Sequence, residues 1–169
     1  MARAALAGRV PRVSERCIET APPGYDETMS EHIARAEVEI AAPPEDVWAA
    51  LTDPAAVKKY MFGADVDTSW EVGTPITWSG EYDGSSYQDK GEVVRFDRPE
   101  RLTVTHYSPM GGLPDEPENY HHLDYRVESV GDGSRVRLEQ DGNESAEQAE
   151  QFSQNWQMSL NQLKEHVEG

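Results

Sequence analysis

The closing stretch SAEQAEQFSQNWQMSLNQLKEHVEG constrains the fold more than any other part of the chain. Ala149, Phe152, Trp156, Leu160, Leu163 and Val167 recur every three or four residues, which places one apolar stripe along a single helix. Ser145 followed by Gln148 has the form of a capping box and marks where the helix starts. At 1.5 Å per residue such a helix is about 35 Å long, enough to cross a small domain. A stripe of that length needs an apolar surface of similar length to lie on.

The rest of the chain supplies a sheet. In ARAEVEIA, Ala34, Ala36, Val38 and Ile40 alternate with Arg35, Glu37 and Glu39, the period of a strand with one buried face. Pro43 and Pro44 stop that strand and suit a first helical turn, where a missing N–H costs little. Glu45 and Asp46 favour the helix N-terminus, and Val47, Trp48 and Leu51 form its apolar face. Trp48 is expected to plug the fold rather than to touch a ligand. Asp53 is expected to cap a second short helix from Pro54 that carries Val57, Tyr60 and Met61. PITWSGEY, YQDKGEVVRF, RLTVTHY, HHLDYRVESV and SRVRLEQ then read as strands, with a weaker one near ADVDTSW. Short turn-rich links such as YDGSS and VGDGS between them predict an antiparallel meander. SPMGGLPDEPENY is predicted to be an irregular, mobile loop. The fold class is therefore α+β: a curved antiparallel sheet wrapped around a long C-terminal helix, with two short helices after the first strand.

Residues 1–30 differ in composition and read as a disordered or loosely ordered leader, leaving 31–169 as one domain. The single cysteine, Cys17, falls in the leader, so neither a disulfide framework nor a catalytic thiol is expected. Together with the lack of a secretory signal pattern, this fits a cytoplasmic protein. No apolar run approaches the roughly 20 residues of a membrane span. Fifteen Lys and Arg against 32 Asp and Glu give a net charge of −17, a surface that repels phosphate backbones and anionic lipid. Nucleic acid and membrane surfaces are thus poor partners. The spread of acids reads as a solvated face, the alternative being a docking face for a basic partner.

Motifs for nucleotide binding, a nucleophile elbow or zinc are missing from the sequence. His121-His122 with Asp124 suggests a metal, but neighbours on a strand face opposite ways, so no metal site is expected. His106 shares the parity of Leu102 and Val104 and is expected to project inward, either as a polar tip or general base or, the favoured reading, as a histidine satisfied by a neighbouring Tyr or Gln140. Val93 and Val94 point to opposite faces, so only one is inward unless a bulge intervenes.

IAAPPEDVWAALTDP with the following KKYMFG, GEVVRFDRPERLTVTH, the GDGSRVRL hairpin and NWQMSLNQLKEHV occur in an order that resembles the START-like or Bet v 1-like (SRPBCC) helix-grip superfamily. Within it, the chain is most similar to the activator of Hsp-90 ATPase homologue domain. It departs from the family pattern at His106 and at Gln140-Asp141-Gly142, both expected on the inner face. The resemblance implies a cavity between helix and sheet that binds, or acts on, a small hydrophobic molecule without a cofactor. Strand parity assigns its lining to Ile76, Trp78, Tyr82, Val104, His106, Leu123, Tyr125, Leu138 and Gln140, with Phe152 and Trp156 from the helix, although a filled core would show the same pattern. Three functions follow: ligand carriage; an aromatase, cyclase or hydrolase reaction in the same cavity; or modulation of a chaperone ATPase. The last is disfavoured because the leader has no room for the further domain that eukaryotic co-chaperones of this name use.

Overall fold

The computed structural model describes residues 32–169; the expected leader, with Cys17, lies outside the described residues. The period-two segment forms β1 (Ala34–Ile40), followed by α1 (Pro44–Thr52) and α2 (Pro54–Tyr60). Both helices begin on proline, and the Asp53 side chain accepts from the Ala55 N–H at 3.4 Å to cap α2. Six further strands follow: β2 (Asp65–Thr68), β3 (Pro75–Tyr82), β4 (Ser85–Asp97), β5 (Arg101–His106), β6 (His121–Val130) and β7 (Gly133–Gln140). The chain closes with α3 (Ala146–Glu168), whose first turn is capped by Ser145 Oγ accepting from Gln148 N–H.

All neighbouring strands are antiparallel, in the spatial order β1-β7-β6-β5-β4-β3-β2. This is the α+β helix-grip architecture. Two local devices bend the sheet. The register of β4 against β5 shifts between Val93 and Arg95, and the bulge lets Val93 face inward while Val94 is 42% exposed. Two residues earlier, Gly91 lets β5 approach so closely that a Cβ there would lie 1.8 Å from the Thr105 carbonyl oxygen.

The α3 stripe is buried as its spacing predicts: Ala149, Trp156, Leu160 and Leu163 are in the core, with Phe152 and Val167 partly covered. Trp48 is 1% exposed and packs edge-on against Phe96 at 5.2 Å, with its ring closing one end of the core.

A second, polar flank of α3 protects the sheet edge. β1 is an edge strand, and its outward backbone groups would otherwise offer a template for another chain. Ser153 Oγ accepts from Arg35 N–H at 2.9 Å, and Gln157 both accepts from Glu37 N–H at 3.3 Å and donates to the Glu37 carbonyl at 2.9 Å. Lys164 donates to the Glu39 carbonyl, and Glu168 accepts from Ala41 N–H. Alternate strand residues thus meet Ser153, Gln157, Lys164 and Glu168 in order along the helix. Gln157→Ala is expected to lower stability by about 1–2 kcal/mol through the two lost bonds. Amide exchange at Glu37 should speed up, while Lys164→Ala should leave that amide protected; equal protection in both variants would remove the latch role.

The loop between β5 and β6, read from sequence as irregular and mobile, has more local structure than expected. It contains two 3-10 turns, Pro109–Gly111 and Pro117–Asn119, and is tied at several points. Tyr107 Oη donates to the Leu113 carbonyl at 2.7 Å, the Tyr107 and Tyr120 rings stack at 5.2 Å, and Asp115 pairs with Lys90 and Tyr120. Gly and Pro set its irregular path, but two tyrosines hold it against the outer face of the sheet.

Candidate functional site

Strand pairing determines which side chains share the inner face. Trp78 on β3 is opposite Asp89 on β4, and His106 on β5 is opposite His121 on β6. Residues directly opposite in an antiparallel pair point to the same side. Trp78, Asp89, His106 and His121 therefore form a row across four adjacent strands. His106 Nε2 lies 2.9 Å from Asp89 Oδ2, and the Trp78 and His106 rings meet edge-on at 5.2 Å. The His106 and Asp89 side chains are 15% and 16% exposed. Asp89 Oδ1 is buried and makes no hydrogen bond to a described residue.

The row continues toward the helix. His121 packs against Phe152, with ring centroids 6.3 Å apart. Trp156 Nε1–H donates to Gln140 Oε1 and Gln140 Nε2 donates to Asn143 Oδ1 at 3.5 Å, while Asn143 Nδ2 donates to the Gln140 backbone carbonyl at 3.0 Å. Gln140 is thus buried with both ends of its amide used, a tether between β7 and α3. Beyond Trp78 the inner face becomes apolar. A narrow seam with a cavity of about 10 Å³ is lined by Val57, Tyr60, Met61, Trp70, Ile76, Trp78, Leu102, Val104 and Tyr125. That volume matches about one water molecule. Burial raises the Tyr60 and Tyr125 phenols above their usual range, so both remain neutral. Tyr60 Oη donates to the Leu51 carbonyl at 2.6 Å, and the Tyr60 carbonyl accepts from Ser159 Oγ, fixing α2 on α3.

The two adjacent histidines behave oppositely. Burial lowers the His121 pKa against the pull of its bond to the Asp141 carbonyl at 2.8 Å. The carboxylate of Asp141, 2.9 Å from His122 Nδ1, raises that imidazole against its own partial burial. The His121 contribution to stability is fully present above about pH 6.5 and falls as pH drops below that unfolded value. The His122 contribution is present below about pH 6.5 and is lost as pH rises through its higher folded pKa. An NMR titration of the ring protons should show midpoints on opposite sides of 6.5; coincident midpoints would contradict the assigned environments.

A second concavity, about 440 Å³, lies between α1 and the end of α3 and is lined by Ala42, Asp46, Ala49, Ala50, Asp53, His166 and Val167. It is an open surface groove, separate from the row. Among the described residues, no group of three or more His, Cys, Asp or Glu side chains could hold a metal, and no helix is long and apolar enough to cross a membrane.

This architecture can be compared with known proteins. The family described as Activator of Hsp90 ATPase homolog 1-like protein matches residues 41–168. The chain belongs to that family. Within the Activator of Hsp90 ATPase homolog 1-like family and its START-like surroundings, a solution structure of ChR145 from Cytophaga hutchinsonii is 40% identical, covers 80% of this chain and 93% of its own, and superposes with a TM-score of 0.71. CV1439 from Chromobacterium violaceum, at 24% identity, covers 82% of this chain and 98% of its own with a TM-score of 0.67, a likeness of fold. The Aha1 dimer from Colwellia psychrerythraea, at 20% identity, covers 80% and 96% with a TM-score of 0.62, again a likeness of fold. No curated protein matched the chain.

The family cavity expected from sequence is thus a narrow seam here. Ile76, Trp78, Val104 and Tyr125 line it. His106 stands at its polar end, and Leu123 and Leu138 are fully buried in the packed core beside it. Gln140 and Trp156 are paired with each other, and Phe152 covers His121. Tyr82 is a correction: it shares the parity of Trp78 but is 67% exposed, because the β3–β4 hairpin runs out past β2 and β5. Asp89 is the functional candidate that sequence reading missed. Its signal was present, since Tyr87, Asp89, Gly91 and Val93 alternate on one strand, and Val93 inward implies Asp89 inward.

Proposed function

We propose that the protein binds a small, largely hydrophobic molecule between the sheet and α3, with its polar end at Asp89 and His106. The observation that carries this reading is Asp89 Oδ1, a buried acceptor on the inner face with no described partner, beside an apolar seam. A buried carboxylate oxygen left unpaired costs on the order of 1–3 kcal/mol, and a ligand donor would recover it. The narrow seam is too small for a guest, since ligand pockets run to about 300 Å³ or more. Binding therefore requires an open form in which Met61 and Trp70, on the α2 end and the β2–β3 turn, move off the seam. The resemblance to a family of small-molecule binders supports the same reading.

Native mass spectrometry of freshly purified protein tests it. A small-molecule adduct that disappears in the Asp89→Leu/His106→Leu double variant is the expected result. The double variant removes both members of the pair, so no lone buried charge is left to unfold the chain. Bare protein mass, with no saturable uptake of any apolar probe, would overturn the reading. Acid–base catalysis on the bound molecule is a second reading, favoured by the carboxylate that orients His106. It predicts turnover that is lost in Asp89→Asn while binding remains.

A further inference from the structure

Four of the residues that line the seam carry a side-chain nitrogen or oxygen: Tyr60, Trp70, Trp78 and Tyr125. Tyr60 has spent its proton on the Leu51 carbonyl at 2.6 Å. The two indoles can only donate. Tyr125 carries the free hydroxyl. It is 4% exposed, and its oxygen makes no hydrogen bond to a described residue. Among the described residues, the sealed side-chain polar atoms without a partner are Asp89 Oδ1 and Arg135 Nε, and Tyr125 Oη is not one of them. A buried hydroxyl that is neither bonded nor sealed must touch free space, and the space that Tyr125 lines is the seam. We infer that Tyr125 is the specificity-determining residue of the binding site: its hydroxyl selects a neutral molecule with a hydrogen-bond-accepting oxygen at its inner end, a carbonyl group in the simplest case.

The lining decides the class. A carbonyl oxygen accepts from Tyr125 and brings no proton that would itself need a partner. A hydrocarbon of the same shape would leave the Tyr125 O–H without a partner among apolar groups. No charged side chain lines the seam, so an ion at this end would lose its hydration with no counter-charge to replace it. Burial raises the Tyr125 phenol above its usual range, so the group remains a donor at any ordinary pH. The position is distinct from the Asp89–His106 pair. Tyr125 is opposite Leu102, whereas His121 is opposite His106, which separates the two levels by about 13 Å along the strands. One end of the site thus asks for a donor, at Asp89, and the other for an acceptor, at Tyr125. A ketone has no proton to offer Asp89, so its oxygen reports on Tyr125 alone.

This inference rests on the binding reading above, and the experiment separates the two. The full chain is titrated with 4-phenyl-2-butanone and with n-butylbenzene, which have nearly the same shape and differ in the carbonyl oxygen. Affinities are read from saturable shifts in nitrogen–proton correlation spectra. The ketone should bind about fivefold more tightly or better, the effect of one net hydrogen bond. Tyr125→Phe removes the hydroxyl alone. It should erase that difference, leave n-butylbenzene affinity within about twofold, and not lower the denaturation midpoint, because the hydroxyl bonds to nothing in the fold. Equal affinities in the unaltered chain would overturn the inference and leave the binding reading intact. A ketone preference that persists in Tyr125→Phe would assign the selection to the indoles and also overturn it, as would a lowered midpoint, which would make the hydroxyl a structural group. Saturable binding of neither probe would remove both readings.

Discussion

Trp48→Ala is expected to destabilise the protein by about 3–5 kcal/mol, the range for removing a fully buried large aromatic side chain. The ring is 1% exposed, packs edge-on to Phe96 at 5.2 Å and belongs to the continuous core. It lines neither the seam nor the row. The loss should therefore appear as a lower denaturant midpoint with unchanged slope, and probe affinity per folded molecule should stay the same. A loss below about 1 kcal/mol would mean that the site collapses without cost, and the ring would no longer count as the plug that closes this end of the fold.

Gly91→Ala should be at least as damaging, for a different reason. The added Cβ would meet the Thr105 carbonyl oxygen at 1.8 Å, and the clashing atom is backbone, held by the β5–β6 ladder. A flexible side chain could swing aside; a paired strand cannot. Relief requires β5 to separate from β4, which would disturb the Asp89–His106 pair one step away along the same strands. A loss of about 3 kcal/mol or more is expected. Chemical shifts at Val104, His106 and Val93 should move most. Near-native stability in chemical denaturation would contradict a close approach of β4 and β5 at this position.

The contrast between these two sites explains how much was legible in the sequence. Trp48 was readable as structural because helix spacing and flanking prolines are local signals. The same holds for the α3 stripe, the alternation in β1 and the capping residues Asp53 and Ser145, all of which depend on neighbours within a few positions. Gly91 was not readable as a contact, because its partner, Thr105, is on another strand and only register brings them together. Asp89 was hidden by a related ambiguity. With Val93 and Val94 both apolar, parity alone gave two faces for β4, and the bulge after Val93 settled which one. Tyr82 failed in the opposite direction: its parity was right, but parity says nothing about where a hairpin outruns the helix that covers it. The polar flank of α3 was unreadable for a third reason. Ser153, Gln157 and Lys164 look like ordinary solvent-facing residues until the edge of β1 is placed beside them.

The Asp124 cluster shows how the outer face differs from the inner one. Burial pushes its pKa up, but hydrogen bonds from Arg101, Thr103 and Arg126 outweigh that and hold it below the usual range. Asp124 is saturated with donors, whereas Asp89 has one imidazole for two oxygens. The difference between a carboxylate fully used by the fold and one left half-used is the physical basis for the proposed site at Asp89.

The most direct test is to map where a bound molecule sits. A nitrogen–proton correlation spectrum of the full chain, titrated with 4-phenylbutanol as an apolar probe with one polar end, should show saturable shifts at the backbone amides of Asp89, His106 and His121 and at the Trp78 indole. Shifts confined to the open groove around Asp46, Asp53 and His166, or no saturable shift anywhere, would contradict a binding compartment between the sheet and α3.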